Sequence, residues 1–167
     1  MGPSIAVQFK YPIWISGKTT IGRQLADALS IPFFDADDFH PPSNIKKMRS
    51  ARPLDDADRQ PWLETLATSI ADWQEQGGAV LACAALRETY RETLGSRCGE
   101  NICWVLLQGS EEVLADRLKG RKGHFFDRQL LSSQLDTLEV PDYGWLVDIE
   151  SSPQEIVNKI LTRLRSR

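Results

Sequence analysis

Short apolar runs alternate along this chain with amphipathic segments, and this alternation limits the possible folds more than any other feature. The strand-like runs cover residues 5–9, 32–34, 79–83, 102–107 and 145–149. Parallel strands need long crossover connections, and helices usually supply them. The pattern therefore predicts an α/β fold with a parallel sheet that is covered by helices on both faces.

Three segments between or after these runs carry the apolar spacing of helices. The residues expected to face the core in the first two are Ile21, Leu25, Ala28 and Leu29, and then Trp62, Leu66, Ile70 and Trp73. Gly77 and Gly78 are expected to end the second helix. The third, with an apolar stripe at positions 156, 160, 161 and 164, starts with a predicted capping box of Ser152 and Glu155 around Pro153.

The chain has no internal repeat, low-complexity tract or Pro/Gly/Ser linker, so residues 1–167 are expected to form a single domain. Its net charge is -3 and its basic residues are scattered, which argues against nucleic-acid binding and favours small-molecule partners. No stretch approaches the roughly 20 apolar residues of a membrane span, and the N-terminus lacks the features of a signal peptide. A soluble cytoplasmic protein is therefore expected.

The three cysteines have no metal-ligand spacing, and their odd number argues against a disulfide framework. Cys83 and Cys103 lie in apolar strand-like runs, so we expect buried thiols without a chemical role. This pattern is typical of a reducing compartment.

A candidate phosphate-binding segment lies between the first strand-like run and the first helix, where the second half of a Walker A loop belongs. It consists of Ser16, Gly17, Lys18, Thr19 and Thr20. At a helix N-terminus, backbone N–H groups face phosphate, the lysine reaches the β and γ phosphates, and the threonine hydroxyl binds Mg²⁺. ATP and Mg²⁺ are accordingly the candidate ligands of this segment.

The residues before Ser16 depart from that loop. Pro12 stands where the motif has glycine, and it lacks an N–H donor. Ile15 resists the left-handed backbone that glycine adopts freely, and Trp14 adds bulk beside the phosphates. The alternative is that residues 12–16 are an ordinary strand-to-helix connection without a nucleotide role, or that this coding segment was misassigned.

A carboxylate cluster follows the second strand-like run, at the edge where α/β sheets bind ligands. It belongs to the first of five motifs, which cover residues 33–41, 53–63, 83–91, 121–125 and 131–139, and read FFDADDFHP, PLDDADRQPWL, CAALRETYR, RKGHF and LSSQLDTLE. In this order they closely resemble the gluconate kinases. The resemblance implies a fold like that of the nucleoside monophosphate kinases, a P-loop kinase-like three-layer α/β/α arrangement with a five-stranded parallel sheet and a mobile lid at about residues 119–128. It also implies transfer of the γ-phosphate of ATP to the 6-hydroxyl of D-gluconate, by an enzyme that is commonly a homodimer.

The resemblance assigns roles to the first of these motifs. Asp37 matches the carboxylate beside the acceptor hydroxyl, and it is the candidate catalytic base. Asp35 is a candidate ligand of Mg²⁺ through water, or equally a helix cap. His40 is a candidate ligand of the sugar acid, with a structural role as the alternative.

Three arginines in or before the second motif, Arg49, Arg52 and Arg59, are candidates for the gluconate carboxylate, because guanidinium is a planar two-pronged donor. Arg59 is favoured over Arg49 and Arg52 because it lies inside its long motif. Asp58 is expected to bond a sugar hydroxyl or to cap the following helix. Arg91 is a candidate for a substrate or phosphate contact.

A basic segment precedes and enters the fourth motif, in the position of the kinase lid. It contains Arg117, Lys119, Arg121 and Lys122, followed by His124. Arg117 and Arg121 are candidate ATP ligands, with Arg121 also stabilising the transferred phosphoryl group, and His124 is a candidate substrate ligand. An exposed basic helix end is the alternative.

Three functions thus remain open from the sequence. The first is an active gluconokinase in which Lys18, Asp37 and Arg121 act on the reacting groups. The second is a relative that binds a sugar acid but has lost productive ATP binding through residues 12–15. The third, another small kinase for shikimate or a nucleoside monophosphate, fits the long motifs less well.

Overall fold

The computed structural model describes residues 4–9, 18–110 and 137–166. In chain order they form β1 (Ser4–Phe9), α1 (Lys18–Leu29), β2 (Phe33–Asp35), a 3-10 helix (Ala36–Phe39), α2 (Pro42–Arg49), α3 (Asp56–Glu75), β3 (Val80–Cys83), α4 (Glu88–Gly95), a second 3-10 helix (Gly99–Asn101), β4 (Ile102–Gln108), β5 (Trp145–Asp148) and α5 (Pro153–Arg165). The predicted lid and most of the predicted phosphate-binding loop lie outside these ranges.

The strands of the described residues make one parallel sheet in the order β2-β3-β1-β4-β5. β1 lies at its centre, where Ile5 pairs with Val80 on one side and with Cys103 on the other. Each of the strand-like runs predicted from the sequence forms a strand within two residues of its predicted bounds. The predicted parallel α/β architecture is confirmed.

Alternate residues of the strands enter two separate cores, as expected when successive side chains point to opposite faces of a sheet. Val80 and Ala82 join the core that α1 and α5 cover. Leu81 and Cys83 join the core that α3 and α4 cover. All three cysteines are buried thiols. The described part of the chain therefore has helices on both faces of its sheet.

The core-facing side of α1 differs from the predicted one. Ile21 and Leu25 are buried as expected, but Ala28 is exposed and Ala26 is buried in its place. A side chain at Gly22 would place its Cβ 2.5 Å from a ring carbon of Phe33, so the missing side chain lets this flank of α1 approach β2 closely. This approach moves the buried stripe away from Ala28.

Local signals fixed the ends of the longer helices as predicted. α3 ends before Gly77 and Gly78, which have φ values of 110° and 102°. α5 begins with the predicted capping box of Ser152 and Glu155. No helix within the described ranges is long and apolar enough to span a bilayer.

Candidate active site

The carboxyl ends of β2 and β3 carry most of the polar side chains that the sequence singled out. Asp35 is the last residue of β2, and its Oδ1 accepts a hydrogen bond of 3.1 Å from the backbone N–H of Asp37. Asp35 thereby caps the 3-10 helix, which is one of its two predicted roles. The cap fixes the backbone of Asp37 at the edge where ligands bind in α/β folds.

His40 lies directly behind Asp37. Its ring stacks on Trp62 of α3 with a centroid distance of 4.4 Å, and its Nε2 lies 4.0 Å from Asp37 Oδ1. Trp62 in turn donates from Nε1 to the carbonyl of Ala36 at 2.7 Å, which ties α3 to the 3-10 helix. Burial, assisted by the positive charge of Arg59, lowers the pKa of His40 to about 4. The imidazole is therefore neutral at pH 7.

A buried amide that the sequence reasoning missed supports His40 from the other side. Asn44 of α2 is 1% exposed, and its Nδ2 lies 3.3 Å from His40 Nδ1 and 2.8 Å from the carbonyl oxygen of Asp58. The spacing of four residues between His40 and Asn44 was the available signal. The second partner of Asn44, the carbonyl of Asp58 on α3, could not be predicted because it belongs to another helix.

Arg59 of α3 is half-buried, and it directly follows Asp58, whose carbonyl accepts from the Asn44 amide that contacts His40. Its Nη2 donates to the carbonyl of Leu54 at 3.3 Å, and its guanidinium lies 5.7 Å from the centroid of the Tyr90 ring. Arg49 and Arg52 are exposed. Of the three candidate arginines, the one that the sequence favoured is thus the half-buried one, adjacent in sequence to a residue that contacts Asn44. We call Asp37, His40, Asn44 and Arg59 the acceptor cluster.

Tyr90 of α4 contacts two further charged side chains, those of Asp56 and Arg87. Its hydroxyl donates to Asp56, and this hydrogen bond lowers the pKa of Asp56. Arg87 Nη1 donates to the other oxygen of Asp56 at 2.9 Å, and its guanidinium lies 5.9 Å from the Tyr90 ring centroid. The start of α3 is thereby joined to the segment that follows β3.

Asp58 takes part in the cap of α3, which is one of its two predicted roles. Asp55 is the N-cap residue, and it forms a reciprocal capping box with Asp58. Both carboxylate oxygens of Asp58 also accept from Lys47 Nζ, at 2.6 and 2.7 Å. This carboxylate is therefore used within the protein.

Arg91 is placed differently from the prediction that it contacts a ligand. Its side chain is 1% exposed, and its Nη1 donates to the carbonyls of Ala85 and Leu86 at 3.0 and 3.4 Å. Its Nη2 donates to the carbonyl of Glu139 at 2.7 Å. The guanidinium connects the end of β3 with the segment before β5.

A carboxylate and a phenol complete the surroundings of this guanidinium. Arg91 Nε lies 3.0 Å from Glu88 Oε2 and 3.1 Å from the hydroxyl oxygen of Tyr143. The Tyr143 hydroxyl donates to Glu88 Oε1 at 2.6 Å, and burial raises the pKa of Tyr143 to about 12. All three guanidinium nitrogens of Arg91 are thus engaged internally. We call Arg91, Glu88, Glu139 and Tyr143 the Arg91 network, and we leave Arg91 out of the proposed ligand set.

The phosphate end of the predicted site is described in part. α1 starts at Lys18, with Thr19 half-buried and Thr20 exposed in its first turn. Ser16 and Gly17, with the unusual residues 12–15, lie outside the described residues, as do Arg117, Arg121 and His124. Within the described ranges, no group of three or more His, Cys, Asp or Glu side chains is arranged to hold a metal ion.

Comparison with known proteins places this arrangement in a family. The family model for shikimate kinase matches residues 15–165. A probable gluconokinase of Dictyostelium discoideum is 42% identical over 163 residues, covering 90% of this chain and 82% of that protein. A gluconokinase of Gluconobacter oxydans is 46% identical over 129 residues, covering 75% and 71%. The crystal structure of a gluconokinase from Sinorhizobium meliloti has 37% identity and a TM-score of 0.85 over 98% of this chain and 92% of its own.

These similarities extend over the acceptor cluster, the Arg91 network and the P-loop kinase fold alike. The chain therefore belongs to the shikimate kinase family and, within it, to the gluconokinases.

Proposed function

We propose that this protein transfers the γ-phosphate of ATP to the 6-hydroxyl of D-gluconate. The observation that carries the proposal is the convergence of a half-exposed carboxylate, a neutral imidazole and a half-buried guanidinium at the carboxyl edge of the sheet, in Asp37, His40 and Arg59. The relatives named gluconokinase supply the substrate class.

Asp37 is the proposed base. Its side chain is 37% exposed, so it is accessible to a substrate, while the cap formed by Asp35 holds its backbone. A carboxylate in this position orients the acceptor hydroxyl and accepts its proton as phosphoryl transfer proceeds. The neutral state of His40 matters here, because an imidazolium 4.0 Å away would lower the basicity of Asp37.

Arg59 and His40 are the proposed ligands of the sugar acid. Arg59 carries a permanent charge and a planar fork of donors that suits a carboxylate. Its placement against Tyr90 and the Leu54 carbonyl restricts its rotamers before substrate arrives, which reduces the entropy lost on binding. His124, outside the described residues, belongs to the same proposal on the strength of the sequence motif.

ATP and Mg²⁺ are the proposed cofactors, and the residues at the start of α1 fit them. Two described side chains offer oxygen, which is the donor that Mg²⁺ prefers: the Thr19 hydroxyl in the first turn of α1 and the Asp35 carboxylate at the end of β2. Mg²⁺ neutralises charge on the transferred phosphoryl group when it is bound. We propose that Ser16, Gly17, Lys18, Thr19 and Thr20 hold the phosphates, and that Arg117 and Arg121 approach them from the lid.

A coupled ADP-release assay with gluconate and MgATP tests the proposed function, with calorimetry for each substrate run in parallel. We expect turnover that depends on gluconate. Gluconate binding without ATP binding or turnover would instead support the non-catalytic alternative. If turnover is absent, a variant with Pro12→Gly and Ile15→Gly tests whether residues 12–15 prevent it, because recovered turnover would assign the loss to these residues. Light scattering tests the proposed homodimer.

A further inference from the structure

The side-chain amide of Asn44 links His40 to a backbone carbonyl on another helix. It is 1% exposed, and the same atom, Nδ2, faces both the Asp58 carbonyl oxygen at 2.8 Å and His40 Nδ1 at 3.3 Å. An amide nitrogen has two hydrogens to donate, one for each of these neighbours. The Asn44 amide therefore constrains which ring nitrogen of His40 carries the proton, as well as where the ring lies.

The orientation of this amide follows from the Asp58 carbonyl, which accepts and never donates. If Asn44 were turned by 180°, its oxygen would meet the Asp58 oxygen at hydrogen-bond distance, and two buried acceptors would face each other without a proton. Asp58 does not move away easily, because it is held in the capping box with Asp55 and by the ion pair with Lys47. The NH₂ end of Asn44 must then face His40 as well.

The tautomer of His40 follows in the same way. A donor that faces Nδ1 requires a lone pair there, and a neutral imidazole then carries its proton on Nε2. The groups around the ring are Trp62, stacked on its face, Asp37 beyond Nε2, and Arg59, whose charge opposes protonation. Nε2, which then carries the proton, is the ring nitrogen that lies 4.0 Å from Oδ1 of Asp37, the proposed base.

We infer that Asn44 is a positioning residue that holds His40 as the Nε2–H tautomer, so that the ring presents a hydrogen-bond donor beside Asp37 to an oxygen of the bound sugar acid. This inference rests on the proposed function for the nature of the ligand. His40 then selects an acceptor oxygen on the substrate, because the same ring with its proton on Nδ1 would present a lone pair at Nε2 instead. The specificity of the site would then depend on a residue that does not touch the substrate.

The tautomer can be measured in the ligand-free protein by NMR of ¹⁵N-labelled histidine, because protonated and unprotonated ring nitrogens have distinct chemical shifts. The chain has two histidines, and the His40→Gln spectrum identifies the signals of His40. We expect a proton on Nε2 at pH 7.5. A proton on Nδ1, or a charged ring, would overturn the inference whatever the activity of the enzyme.

Asn44→Asp tests the causal role of the amide, since it replaces the donor by an acceptor of almost the same shape. A carboxylate this close to His40 favours the Nδ1–H or the charged ring, so the midpoint of the His40 titration should rise by about one pH unit or more. We expect the KM for gluconate to rise about tenfold or more, as for the loss of a hydrogen bond in which the acceptor is left without a donor. The KM for ATP should change little.

Asn101→Asp is the matched control, because Asn101 Nδ2 also donates to a backbone carbonyl, that of Cys98 at 3.2 Å, away from the acceptor cluster. It should leave the His40 signals and the KM for gluconate unchanged. An unchanged tautomer and titration in a folded Asn44→Asp variant would overturn the inference, and if that variant does not fold, the wild-type spectrum decides. Failure of gluconate to bind, with Nε2–H observed, would reject the proposed ligand and leave the assigned tautomer in place.

Discussion

The acceptor cluster and the Arg91 network lie at the same edge of the sheet and use similar residues, yet their hydrogen bonds are distributed differently. In the Arg91 network, every guanidinium nitrogen donates to a carbonyl, a carboxylate or a phenol of the protein. In the acceptor cluster, Asn44 is buried and bonded within the protein, whereas the Asp37 side chain is 37% exposed at the carboxyl edge of the sheet. His40 contacts Asn44 through Nδ1, and its Nε2 has Asp37 at 4.0 Å.

This difference separates residues that hold the site from residues that bind its ligand. A buried arginine whose donors are all used has nothing left to offer a carboxylate, and removing it leaves several acceptors unsatisfied. A half-buried arginine held by one hydrogen bond and one aromatic face keeps donors for a ligand. The two clusters should therefore respond to mutation in opposite ways, the first in stability and the second in kinetics.

The largest kinetic effect should come from Asp37→Asn. The amide does not accept a proton, so we expect kcat to fall by about 10² to 10⁴-fold, with little change in ATP affinity. Initial rates and ATP calorimetry measure the two quantities. Asp38→Asn is the control, because it makes the same change at an exposed position of the same short helix. A wild-type rate in Asp37→Asn would remove Asp37 from the proposed role.

Arg91→Met should cost the most stability. It removes a buried guanidinium and leaves Glu88 Oε2 and three carbonyls without their donor, so we expect the free energy of unfolding to fall by about 2 to 3 kcal/mol. Urea denaturation measures the loss, and Arg97→Met, at an exposed position, is the control. A raised KM for gluconate at unchanged stability would instead return Arg91 to the set of ligands.

The buried neutral imidazole predicts a dependence of stability on pH. The pKa of His40 is about 4 in the folded protein against 6.5 in the unfolded chain, so the unfolded state binds more protons between these values and stability falls as the pH falls. The contribution of His40 should be about 2 kcal/mol between pH 7.5 and pH 5. His40→Gln should show a correspondingly smaller loss in parallel denaturation curves, and equal losses would contradict the assignment.

The smallest of these effects is expected from Arg59→Lys. Lysine keeps the charge and loses the planar fork, so we expect the KM for gluconate to rise about tenfold, which corresponds to about 1.4 kcal/mol, at nearly unchanged kcat. Arg52→Lys, at an exposed position, should have no effect. If Arg52→Lys had the larger effect, the carboxylate would lie nearer the end of α2 than we propose.

Features set by neighbours in sequence were predictable from the chain alone. The capping box of Ser152 and Glu155, the stop of α3 before Gly77 and the apolar strands all depend on residues within one turn or one strand. The acceptor motif was found because Asp37 and His40 lie in one short segment. The sequence thus located the candidate site through residues that lie close together in the chain.

Features that depend on contacts distant in sequence were not predictable. The role of Asn44 depends on the carbonyl of Asp58, which belongs to another helix. Arg91 was predicted to contact a ligand because two residues that hold its guanidinium, Glu139 and Tyr143, follow much later in the chain. The error at Ala28 has the same origin, since the approach of α1 to Phe33 depends on the tertiary packing at Gly22.

The central place of β1 affects how this protein is made on the ribosome. β1 is synthesised before both of its neighbours and waits for β3 and β4 to emerge, because Ile5 pairs with Val80 and Cys103. Such distant pairings slow folding and leave an apolar segment exposed to chaperones in the meantime. The centre of the sheet can therefore close only after Gln108 has left the ribosome.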